Sequence, residues 1–127
     1  MPESARILVV EDNEVNLMVF TDILAAAGYR VLAARNAEEC FALAGTESPD
    51  LILMDIQLPG MDGLEAVKAL KAKPSTSGIP IVALTAHAMI SHRERALEAG
   101  CTGYITKPIR SREFREAVQG YLKGRSG

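Results

Sequence analysis

The chain has 127 residues, the size of one domain, with 48% hydrophobic residues for a core and 24% charged residues for a solvated surface, a balance outside the range of disordered chains. Fourteen basic residues against sixteen acidic ones leave a formal net charge of -2, so no global positive field draws the protein to nucleic acid or anionic lipid. No apolar run nears the roughly 20 residues of a membrane span, and the opening Met1-Pro2-Glu3-Ser4 lacks a signal peptide's apolar segment, which makes the cytoplasm the expected compartment.

The first strand is expected at 7–10, a continuous apolar run. A helix then begins near Asn13, with Asn16, Val19, Phe20, Ile23, Leu24 and Ala27 on one face, and stops at Gly28. A second strand at 31–34 is followed by Asn36 and Glu39, spaced as a capping box, and by the stripe Ala37, Cys40, Phe41 and Ala44. Pro49 opens the third strand, 51–54, and Asp62 with Glu65 marks another helix start. Residues 73–78, polar with Pro74 and Gly78, read as a surface connection to a fourth strand at 81–84. Gly100 ends the next helix, a short strand follows at 104–106, and Ser111 precedes the last stripe, Phe114, Ala117, Val118, Tyr121 and Leu122. One domain over 1–127 is expected, with its core within about 6–122 and a frayed tail at 123–127. Cys40 and Cys101 lie far apart with no CxxC spacing, so two free thiols are expected rather than zinc or dithiol chemistry.

Continuous rather than alternating hydrophobicity suits strands covered on both faces, and the βα rhythm repeats five times. The expected fold is α/β, a five-stranded parallel doubly wound sheet, whose ligand site lies beyond the C-terminal ends of the strands. Those ends carry Glu11 and Asp12 after the first strand, Asp55 after the third, Thr85 after the fourth and Lys107 after the fifth. Three carboxylates at one edge repel unless a cation sits among them, and an all-oxygen set with room for water suits magnesium. Lys107 and Thr85 supply a charge and a hydroxyl of the kind that hold phosphoryl oxygens. A carboxylate is already ionised at neutral pH and needs no general base to attack phosphorus, so Asp55, central after the most apolar strand, is the candidate nucleophile.

The segments Val9-Val10-Glu11-Asp12-Asn13, Leu53-Met54-Asp55-Ile56-Gln57-Leu58-Pro59, Gly60-Met61-Asp62-Gly63, Leu84-Thr85-Ala86 and Thr106-Lys107-Pro108, in this order, resemble the receiver family of response regulators over nearly the whole chain. The resemblance extends to the family's small stand-alone regulators of chemotaxis and of the cell cycle. It implies the flavodoxin-like, CheY-like (βα)5 fold with strand order 2-1-3-4-5. It also implies a two-component phosphorelay in which Asp55 accepts a phosphoryl group from a histidine kinase or histidine phosphotransfer protein. Magnesium, with manganese as a substitute, would be held by Asp12, Asp55 and the backbone carbonyl of Gln57, with Glu11 acting through water. Thr85 and Lys107 would grip the phosphoryl oxygens, Thr85 and Tyr104 would act as the switch, and the Lys107–Pro108 peptide bond would be cis. Altered contacts with a downstream protein would carry the signal, from a chain that is monomeric at rest and open to dimerisation on phosphorylation.

Competing readings attach to several residues. An aspartate such as Asp55 often merely ends a strand, and Tyr104 could simply pack. Val15, Leu17 and Met18 lie outside the first helix's stripe and read either as scattered surface apolarity or as a docking patch for the kinase. His87 and His92 lack a second His or Cys at ligand spacing; His87 and Gln57 occupy positions that border the route of attacking water in receivers. Arginines of the C-terminal third alternate with glutamates as on a solvated helix, so nucleic-acid binding is not expected. An aspartyl phosphatase is a weaker alternative, since the position two after Asp55 is Gln57 and no second carboxylate can serve as general acid. A receiver module cut from a hybrid histidine kinase is a further alternative, as is an unphosphorylated scaffold.

Overall fold

The computed structural model describes residues 5–56, 63–85, 90–106 and 110–126. Among the described residues five strands alternate with five helices: β1 (Arg6–Val10), α1 (Glu14–Ala26), β2 (Arg30–Ala34), α2 (Ala37–Glu47), β3 (Leu51–Asp55), α3 (Gly63–Ala72), β4 (Ile81–Thr85), α4 (Ile90–Ala99), β5 (Gly103–Thr106) and α5 (Ser111–Ser126). All strand pairs are parallel, in the order β2-β1-β3-β4-β5.

The unbroken apolar runs are explained by the two layers they feed. Along β1, Leu8 and Val10 join the core shared with α2, α3 and α4, while Ile7 and Val9 join the core under α1 and α5. β3 divides in the same way, Ile52 and Met54 to one side and Leu51 and Leu53 to the other. Each such fully buried aliphatic side chain contributes about 1.5–3 kcal/mol. The edge strand β2 is only partly covered.

Connection handedness then decides where the sheet opens. From β1 the chain crosses to β2 on one side; from β2 it crosses back over β1 to β3, and all later crossovers continue in that second direction. Right-handed crossovers put α1 on one face and α2, α3 and α4 on the other, the division seen in the two cores. The connections leaving β1 and β3 therefore diverge, and a crevice forms above those two neighbouring strand ends.

Local signals account for most helix boundaries. Asn13 caps α1 by accepting from the Asn16 N–H at 3.0 Å, and Asn36 caps α2 by accepting from the Glu39 N–H at 2.9 Å. Gly28 and Gly100, with φ of 96° and 117°, take the left-handed conformation that stops α1 and α4. Cys40 and Cys101 are both free thiols and both buried.

Two expectations differ from the structure. In α1 the buried stripe is Leu17, Phe20 and Leu24, while Val19 is 43% exposed. Both Leu17 and Val19 flank the same Phe20–Leu24 centre, and the rotation of the helix is chosen by what it meets: Phe20 packs against Phe114 of α5 with ring centroids 5.5 Å apart. The 73–78 connection is not simply solvated, because Thr76 is buried and its hydroxyl donates to the Leu70 carbonyl, while Lys71 Nζ donates to the Ser77 and Ile79 carbonyls at 3.1 and 2.7 Å. Carbonyls at the end of α3 need such partners, and polar composition does not distinguish them from water. The described part of α5 runs to Ser126.

Candidate functional site

Each chemical residue at the sheet's C-terminal edge is placed by a strand that cannot slide without exposing its core. Asp55 is the last residue of β3, paired in register with Leu84 of β4, and only 4% exposed. Thr85 ends β4 opposite Thr106 of β5 and is also buried. Glu11 directly follows β1; its N–H extends the ladder to the Ala34 carbonyl at 3.0 Å, and its side chain is 1% exposed. Asp12, the next residue, is exposed. Glu11, Asp12 and Asp55 bring carboxylate oxygens within 4.8 Å of one another.

This donor set fits a hard divalent cation. It offers only carboxylate oxygens, it is anchored on the buried side by Glu11 and Asp55, and it is open at Asp12 where water can complete a coordination shell. Two ionised carboxylates at that separation would repel by about 3 kcal/mol at an effective dielectric of 20, which a cation reverses.

Sequence reasoning missed two residues that build this edge. Asn16, read only as the polar exception in an apolar stripe, donates from Nδ2 to Glu11 Oε1 at 2.8 Å. Gly63, first residue of α3, sits against the strand end itself: a Cβ there would lie 2.3 Å from the Ile56 Cα and 2.6 Å from the Asp55 carbonyl oxygen. Its N–H donates to the Ile56 carbonyl at 3.1 Å, tying the start of α3 to the end of β3. The polar break at Asn16 was a signal in the sequence; for Gly63 the family-like loop was the only one.

Residues 7–119 match the family model of the response regulator receiver domain. The chain belongs to that family. The polar-differentiation response regulator DivK of Brucella anthropi is 46% identical over 122 residues, covering 96% of this chain and 98% of that protein. Among solved structures, the chemotaxis protein CheY4 of Vibrio cholerae superposes with a TM-score of 0.88 at 28% identity, covering 92% of this chain and 98% of that one. The receiver domain of a sensor histidine kinase from Pseudomonas aeruginosa superposes with a TM-score of 0.87 at 36% identity, covering 94% of this chain and 98% of that one, and was solved with a magnesium ion coordinated in its active site cleft.

Within this receiver domain the structure brings together Glu11, Asp12 and Asp55, with Thr85 at the adjoining strand end. Tyr104 lies on β5, half-buried against the α2–α3–α4 core, with the Arg93 guanidinium 5.2 Å from its ring centroid. Gln57, Asp62, His87, Lys107 and Pro108 lie outside the described residues, and so does the Lys107–Pro108 peptide bond. Of the three residues considered for docking, Val15 and Met18 are 64% and 56% exposed, whereas Leu17 belongs to the core; Val19 takes its place on the surface. Among the described residues no helix is long and apolar enough to cross a membrane.

Proposed function

We propose that this receiver domain is a phosphoacceptor switch that takes a phosphoryl group on Asp55 from the phosphohistidine of a histidine kinase or histidine phosphotransfer protein. The observation that carries the reading is a buried aspartate at the end of β3, within 4.8 Å of two further carboxylates.

An Asp55 carboxylate oxygen attacks phosphorus as the P–N bond of the donor imidazole breaks, the electron pair returning to the ring nitrogen. Asp12, Asp55 and the Gln57 carbonyl would hold magnesium, with Glu11 acting through water; the bound ion supplies positive charge against the carboxylates and the developing charge on the phosphoryl oxygens. Thr85 and Lys107 orient those oxygens. Thr85, at the end of the strand beside β5, then draws toward the new charge, and Tyr104 follows, remodelling the surface of α4 and β5 that a downstream protein reads. The chain is the modified partner and assists its own labelling; it is not an enzyme acting on a separate substrate.

Near-full-length similarity to the polar-differentiation response regulator DivK at 46% identity, against 28% to the chemotaxis protein CheY4, supports a cell-differentiation regulator working through protein contacts. The 36% identity to the receiver of a sensor histidine kinase favours a second reading, a module of a longer kinase. The mass of the native protein in its cells separates them, 13.7 kDa against a much larger species. The test of the chemistry is incubation with magnesium and acetyl phosphate: the chain gains about 80 Da, one phosphoryl group, and Asp55→Asn does not. Equal labelling of both would overturn the assignment.

A further inference from the structure

The first turn of α1 is joined to the acidic edge by a pair of contacts that make Asn16 more than a helix residue. Its backbone N–H is taken by the cap residue Asn13 at 3.0 Å, and its side-chain amide reaches back past the cap to Glu11 Oε1 at 2.8 Å. In an ordinary capping box the side chain three residues after the cap returns to the cap's own N–H. Here it is spent instead on a carboxylate that is 1% exposed and within 4.8 Å of Asp12 and Asp55.

We infer that Asn16 is a positioning residue for the metal site, helping to hold the Glu11 carboxylate in one orientation toward the cation's water shell. The inference rests on the magnesium-dependent reading above. A buried glutamate has several rotamers, and a donor fixed by a capped helix narrows the choice among them before any ligand arrives. The amide is suited to this because it donates one hydrogen bond without adding a positive charge that would compete with the cation.

The experiment is a titration of the unphosphorylated protein with magnesium alone, followed by amide chemical shifts at residues 11–16. Wild type binds; Asn16→Ala weakens binding about tenfold, the lower end of what loss of an outer-shell partner costs. Asn16→Gln, which keeps the amide on a longer stem, stays within about threefold. In a Glu11→Gln background, Asn16→Ala has no further effect. Absence of magnesium binding in wild type overturns the functional reading itself. Binding in wild type together with undiminished binding in Asn16→Ala, or an Asn16→Ala effect that persists in the Glu11→Gln background, overturns the inference alone. Thermal unfolding without magnesium checks that each variant is folded.

Discussion

Placing a methyl group on Gly63 should damage both the fold and the site, although alanine is the better helix former. The added Cβ would stand 2.3 Å from the Ile56 Cα, 2.6 Å from the Asp55 carbonyl oxygen and 2.8 Å from the Ile56 carbonyl carbon, where ordinary contact begins at 3.4 Å. All three neighbours are backbone, so relief needs α3 and the end of β3 to part by about 1 Å. That movement stretches the 3.1 Å bond from the Gly63 N–H to the Ile56 carbonyl. Overpacking of this kind costs about 1–3 kcal/mol and the weakened hydrogen bond about 1 kcal/mol more, against a helix-propensity gain of at most about 1 kcal/mol at a helix end. The expected net loss is about 1–3 kcal/mol, read as a fall of the urea midpoint on the order of 1 M. Asp55 is directly attached to the displaced carbonyl, so labelling by acetyl phosphate should slow as well. Gly45 provides the control: it lies inside α2 with nothing within 4 Å of its Cβ position, and Gly45→Ala should stabilise by about 0.5–1 kcal/mol. A Gly63→Ala midpoint equal to or above that of Gly45→Ala would refute the close-approach argument.

Thr76→Val keeps shape but removes the hydroxyl that serves the Leu70 carbonyl, and should cost about 1–3 kcal/mol in urea unfolding; an unchanged midpoint would mean the carbonyl finds another partner. Burial pushes the Cys40 thiol up to about 12 and the Cys101 thiol up to about 11, from 9.0 for both. The folded protein thus keeps protons the unfolded chain releases, so the stability these thiols add is complete below pH 9 and is lost as pH rises toward 11 and 12. Unfolding between pH 9 and 10 should show this decline, and Cys40→Ala should reduce its slope; an identical slope would remove Cys40 from the account. With Leu17 in the core, a test of docking belongs on the exposed residues: Val15→Asp plus Met18→Asp should slow transfer from the cognate phosphodonor by about tenfold, as loss of about 1.4 kcal/mol at an interface would, and leave acetyl phosphate labelling unchanged. Equal slowing with both donors would point to damage at the acidic edge instead.

What could be read from the sequence alone was whatever depends on neighbours along the chain or on a simple period. The four-residue apolar runs announced four strands, of which β1, β3 and β4 are buried on both faces while β2 at the edge is only partly covered; Asn13 and Asn36 announced caps, and Gly28 and Gly100 announced stops, because these act through backbone groups a few residues away. The carboxylates at the strand ends were legible too, since a parallel sheet sends all its C-terminal ends to one edge. Periodicity could not choose between Leu17 and Val19, which flank the same stripe, nor see that Thr76 faces the carbonyls at the end of α3. It also could not place Asn16 on Glu11 or Gly63 against Asp55. Those depend on how α1 is rotated by α5 and how closely α3 approaches β3, distances set by packing between segments remote in sequence, and only the tertiary structure decides them.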